Sequence, residues 1–224
     1  LVLMPINGCE WPVPVPKDAN LDLICIEMLN IGVEYAWLDV LCLRQVGGPR
    51  EDLRLEEWKV DMPTIGCVYC TERKAVCYFS GLGWPLSLKA GDFESDWSWF
   101  RHAWMLQEIC WKPIIGGDTG DNRIMEEEIW TKFESKLSSF LNPKWSNQSL
   151  DIFDVLAQMR NRIAKNPVDK VVGLAYLLET SEIPAYYEMQ SEEDAWTALV
   201  HVMAEPLREW PLFRYHTPGN GYKV

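Results

Sequence analysis

The sequence predicts an α/β fold: a mostly parallel sheet flanked by helices, with a helical C-terminal extension. Three observations predict it. Residues 35–43, Tyr-Ala-Trp-Leu-Asp-Val-Leu-Cys-Leu, are almost continuously apolar, as in a strand covered on both faces. Strand-like and helical patterns alternate through the first half, the order of βαβ units. The second half carries only helical patterns. An α/β core is therefore expected at 1–122 and a helical extension packed on it at 123–224.

The elements follow in order. Trp11-Pro-Val-Pro-Val-Pro16 must be extended, because alternating prolines exclude helix. Asp18 or Asn20 caps a helix to Asn30, with Leu21, Ile24, Cys25, Met28 and Leu29 on one face and Gly32 as its stop. After the strand at 35–43, a loop at 46–52 leads into a helical region at 55–71, broken or restarted at Pro63. Residues 74–80 read as a second strand, ended by Gly81-Leu-Gly83. Asp92 or Ser95 caps a helix reaching Glu108, residues 113–115 make a short strand, and 116–121 is a glycine-rich loop. Helices are expected at 124–141, 150–164 and 169–178, and Ser191-Glu-Glu-Asp194 starts a last one through 208. The tail, with Pro211, Pro218, Gly219 and Gly221, has the character of a connection to further sequence.

Composition narrows the function. The chain has 224 residues, enough to bury roughly 70% of its unfolded surface in one core. Its formal charge is −12, from 33 acidic and 21 basic residues, so phosphate backbones are repelled and nucleic-acid binding is not expected. Seven cysteines, an odd number lying mostly in apolar runs, suit reduced thiols in a cytoplasmic protein. No apolar run reaches the roughly 18 residues of a membrane span. The twelve tryptophans promise large buried areas or aromatic pocket walls.

Two segments stand out chemically. Wound as one helix, residues 97–110 place Trp99, Ala103, Leu106 and Cys110 on one side, a core stripe, and Trp97, Arg101, Trp104 and Glu108 on the other. That second face is either a packed and solvated surface or a pocket wall in which an indole desolvates the Glu108 carboxyl. Asp39 is a carboxylate in an apolar run, and must be paired there. It either holds the sheet edge together or orients a ligand hydroxyl. Ligands of parallel sheets sit beyond the strand carboxyl ends, which here are 42–48 and 80–84. Cys67-x-x-Cys70 has no second pair, and His102, His201 and His216 are scattered, so no metal site is expected. Neither glycine-rich loop matches a phosphate-binding fingerprint.

Four segments together resemble one family. Trp37-Leu-Asp-Val-Leu-Cys-Leu-Arg-Gln45 is similar to the W-[IL]-D-x-x-C-[IL]-x-Q motif of fungal heterokaryon-incompatibility (HET) domains. Glu57-Trp58 through Ala75-Val-Cys-Tyr-Phe79 resembles the family's second block, and Arg101-His-Ala-Trp-Met-Leu-Gln-Glu108 its R-x-W-T-x-Q-E block, with Met105 in place of Thr. Asn166-Pro-Val-Asp-Lys-Val-Val-Gly-Leu174 resembles the segment that commonly follows. The likeness spans about residues 20 to 180. It implies a domain of fungal non-self recognition and regulated cell death, distantly TIR-like, with a flavodoxin-like sheet. Some TIR domains cleave NAD with a glutamate four residues after a tryptophan, the spacing of Trp104 and Glu108. The resemblance thus implies a catalytic Glu108, with Asp39, Gln45, Arg101, Trp104 and Gln107 binding a nucleotide ligand such as NAD. It also implies that the family's opening strand is missing before Leu1. NAD enters as a substrate, and no cofactor is implied. The alternative is a non-catalytic interaction module or inactive copy that joins protein partners, or itself, through an acidic, Trp-rich surface.

Overall fold

The computed structural model of the chain describes all residues except 7, 9, 71–73, 109–112, 121–124, 141–151, 179, 181 and 204–224. The proline-rich segment is extended as its sequence requires: β2 (Val13–Val15) pairs antiparallel with β1 (Val2–Met4), and Val13 and Val15 are fully buried. Helix α1 (Leu21–Asn30) begins where the Asn20 side chain accepts the Leu23 N–H at 3.1 Å. Its C-terminal end turns at Gly32, whose φ of +69° suits glycine. No residue of α1 is fully buried, and Cys25 and Leu29 of the expected apolar face are exposed.

The strand expected at 35–43 does not form. Residues 35–38 are irregular, Tyr35 is 88% exposed, and Asp39–Cys42 wind into a single helical turn, α2. An apolar run becomes a central strand only where neighbouring strands can pair with it, and no described strand lies against this one. Only Leu43 of the segment is buried. The indole N–H of Trp11 donates to the Val40 carbonyl at 3.0 Å, which seats α2 beside the N-terminal hairpin.

A 3-10 turn at Glu51–Leu53 leads into α3 (Arg54–Cys70), which runs through Pro63 without a break. A proline here removes the N–H that should reach the Lys59 carbonyl. The Tyr186 backbone N–H replaces it, donating to Lys59 O at 3.1 Å. Strands β3 (Val76–Cys77) and β4 (Ile114–Ile115) lie within the segments expected to be extended and pair in parallel, but their sheet stops at two strands. At Gly83, a side chain would meet the Asn20 carbonyl at 2.1 Å, and φ is +80°. Glycine is what lets this loop close on the start of α1, where Asn20 N–H donates to Leu82 O.

The continuous helix expected up to Glu108 is also absent. Trp99–Arg101 form a 3-10 turn, the chain is extended at His102, and α4 is one turn, Met105–Glu108. The cause is tertiary. Ile163 N–H donates to Arg101 O at 2.7 Å, and Ala103 N–H donates to Ile163 O at 2.9 Å, a parallel bridge that takes these groups from a helical ladder. The buried Arg162 guanidinium completes the bridge by donating to Phe100 O at 2.8 Å and His102 O at 3.2 Å.

The remaining helices are α5 (Glu127–Phe140), α6 (Ile152–Arg160), α7 (Pro167–Leu177) and α8 (Glu192–Val202). Helix α7 starts with one half of a capping box, Asn166 N–H donating to Asp169 Oδ2 at 3.1 Å, with Pro167 at the first helical position. Helix α8 starts at Ser191 as its sequence predicts, the hydroxyl accepting the Asp194 N–H. One hydrophobic cluster joins α4 to α6, α7 and α8 through Ala103, Leu106, Val155, Leu174 and Leu199. A second is aromatic, built on Phe93, Phe100 and Phe133 with Phe79 packed against it. Trp99 and Phe140 touch both.

The architecture is thus helix-rich, about 48% helical with two small two-stranded sheets, and the predicted flavodoxin- and TIR-like parallel sheet is overturned. No described helix is long and apolar enough to cross a membrane. The helix expected at 150–164 ends at Arg160, because Ile163 pairs with the chain at His102. Cys110, residues 124, 141, 150 and 151 at the ends of two expected helices, and the tail from 204 lie outside the described residues.

Candidate functional site

Glu108 is the last residue of α4, held there by the buried Met105, Leu106 and Gln107 before it. Its Oε2 accepts the indole N–H of Trp99 at 2.8 Å. Glu108 is part-exposed, but protein packed around its carboxyl deprives the anion of water. That desolvation pushes its pKa up to about 7; the Trp99 hydrogen bond opposes the rise, and the negative charge of Asp39 adds to it. The field of Asp39 thus reaches Glu108.

Asp39 opens α2 from an exposed position, and its Oδ1 accepts the Val40 N–H at 2.7 Å. Burial raises its pKa too, while the Val40 hydrogen bond and its own backbone N–H hold it down. Each carboxylate is reached by solvent and yet has protein packed around it that disfavours its charged form. The field of Asp39, far away in sequence, is felt at Glu108. Carboxylates in such surroundings can accept hydrogen bonds from the hydroxyls of a ligand, face a developing positive charge, and take a proton from water.

The other predicted site residues sit elsewhere. Gln45 donates to the Leu43 carbonyl at 2.7 Å and closes the turn after α2. Arg101 donates to the Glu94 carbonyl and, at 2.9 Å, to Asp96, so it fastens a surface loop. Trp97 is 89% exposed, and the expected face of Trp97, Arg101, Trp104 and Glu108 is dispersed by the break at His102. Trp104 packs on the main core, where its side chain helps to hold the Asp169 pKa down against burial. Gln107 is buried and donates to Val172 O at 3.0 Å, tying α4 to α7. Of the predicted set, Asp39 is the one whose charge bears on Glu108.

Trp99, Arg162 and Asp169 have roles that the sequence does not assign to them. One uninterrupted helix would put Trp99 on the core face, opposite Glu108. Arg162 is buried, desolvation lowers its pKa to about 10, and no described carboxylate pairs with it. Asp169 is buried as well, and accepts from the Tyr186 hydroxyl at 2.9 Å. The Asn166-Pro167-x-Asp169 spacing is the signal that could have found Asp169, since an acidic residue three after the cap can accept the cap's N–H. Among the described residues no cluster of His, Cys, Asp and Glu is arranged to hold a metal ion.

The class these features define is a helix-rich domain with a poorly solvated, part-exposed glutamate whose pKa is pushed up to about 7. No protein-family model, curated protein or solved structure matches the chain.

Proposed function

We propose that this chain is a regulated cell-death signalling domain of the HET type, and that it hydrolyses the N-glycosidic bond of NAD at Glu108. What supports the reading is Glu108, a part-exposed carboxyl whose pKa the protein packed around it pushes up to about 7, with the charge of Asp39 adding to the rise. The two residues come from two of the four HET-like segments, those at 37–45 and 101–108. The NAD assignment draws nothing from a TIR-like sheet.

In this reading, the bond between the ribose C1′ and the nicotinamide nitrogen breaks, and its electron pair neutralises the pyridinium. Positive charge spreads over the ribosyl ring, facing the carboxylates of Asp39 and Glu108. Water attacks C1′ and gives its proton to Glu108, a better base at a pKa of about 7 than an ordinary glutamate. Nicotinamide and ADP-ribose leave.

The expected result is nicotinamide release that rises with pH through about 7 and is lost in Glu108→Ala, together with toxicity in a fungal host, while far-UV circular dichroism stays unchanged. Equal release by the folded variant would refute the assignment. Tyr35 and Trp97, both almost fully exposed on an acidic chain, favour the second reading of an interaction module. That reading predicts concentration-dependent oligomers in light scattering and no turnover of NAD.

A further inference from the structure

Resting on that reading of the site, we propose that Trp99 is a positioning residue for Glu108, its indole N–H fixing Oε2 and so aiming Oε1 at ligand or water. The geometry is direct. The N–H donates at 2.8 Å, and Oε1 has no hydrogen-bond partner among the described residues. The indole itself is immobilised. It meets Phe79 edge-on with ring centroids 5.0 Å apart and Phe100 edge-on at 5.6 Å, and it packs on both hydrophobic clusters. A donor held this rigidly costs little entropy when the carboxylate docks on it.

The same bond has an electrostatic consequence. A donor to the ionised form favours that form, so Trp99 counters both burial and the charge of Asp39. Asp39 of α2 is the charged group acting on Glu108. Asp169 of α7, a helix that also packs against α4, is engaged by the Tyr186 hydroxyl and the Asn166 N–H. Trp99 therefore lowers the pH at which Glu108 becomes a base, against the larger effect of burial, as well as fixing its orientation. A role confined to packing would set neither.

The experiment compares wild type with Trp99→Phe, which keeps an aromatic ring and loses the donor. A second variant carries benzothienylalanine at 99, which keeps the bicyclic shape and replaces N–H by sulfur. Two readouts are taken: nicotinamide release against pH, and titration of the Glu108 carboxyl carbon by NMR, assigned with Glu108→Gln. Both variants should move the Glu108 midpoint upward by about one pH unit, the scale of one charge-assisted hydrogen bond. Turnover at pH 7 should fall several-fold and recover at higher pH. An unmoved midpoint in the folded benzothienylalanine protein, with turnover reduced equally at every pH, overturns the positioning role. If wild type releases no nicotinamide but the NMR midpoint moves as stated, the NAD reading fails and the Trp99–Glu108 coupling stands. If turnover is present and the midpoint does not move, the failure belongs to Trp99 alone.

Discussion

Replacing Glu108 by Gln tests the site without requiring any substrate. The carboxyl ordinarily titrates near 4.5 and is pushed to about 7 in the folded chain. The folded state therefore binds more protons than the unfolded chain between those values, so stability falls as pH rises through that window. A shift of about 2.5 pH units corresponds to about 3 kcal/mol, fully expressed above pH 7. Gln cannot ionise, is similar in size, and still offers Trp99 an acceptor oxygen. Glu108→Gln should thus be the more stable protein, by about 1 kcal/mol at pH 5.5 and about 3 kcal/mol at pH 8. At pH 8 this amounts to a rise of about 6–12 °C in Tm for a chain of this size. Guanidinium unfolding at the two pH values measures it; the acidic composition, with pI ≈ 4.7, sets the lower limit of the titration. A stability difference that is the same at pH 5.5 and pH 8 would show that Glu108 is an ordinary solvated carboxylate. The catalytic assignment would then lose its acid–base argument.

Two further outcomes follow from the same geometry. Asp39→Asn removes the negative field on Glu108 and should lower the Glu108 midpoint, though not to 4.5, because burial is the larger cause and remains; carboxyl NMR reads this, and an unchanged midpoint would separate the two residues. Tyr186→Phe deletes the hydroxyl that donates to the buried Asp169 and should cost about 1–3 kcal/mol in guanidinium unfolding, an effect absent if Asp169 finds water instead.

What was legible in the sequence was local. Asn20, Ser191 and the alternating prolines at 12–16 dictate their own backbone through atoms a few residues away, and they behave as their chemistry requires. The segment 35–43 was illegible for the opposite reason. Its apolar run is compatible with a buried strand, but strand formation depends on partners elsewhere, and the described sheets offer none. Pro63 shows the same principle with the sign reversed. Alone it signals a break; the Tyr186 N–H, supplied from far along the chain, makes the break unnecessary.

The candidate site divides along the same line. Glu108 and Asp39 were visible as carboxylates beside tryptophan and aliphatic side chains, a chemical anomaly that needs no fold to notice. Their partner Trp99 was hidden by helical geometry. At about 100° per residue, nine residues carry the chain through two and a half turns, which puts positions 99 and 108 on opposite faces of any continuous helix. Their 2.8 Å hydrogen bond exists only because the helix is interrupted at His102. The interruption is enforced by Arg162 and Ile163, which take the carbonyls of residues 100–102 and the Ala103 N–H. A buried arginine without a described carboxylate partner costs the fold desolvation energy, and hydrophobic packing alone gives no reason to keep one. Holding Trp99 and Glu108 face to face is a reason. The residue that breaks the expected helix is in this sense part of what makes the carboxylate site, although it lies in a separate segment and touches neither acid.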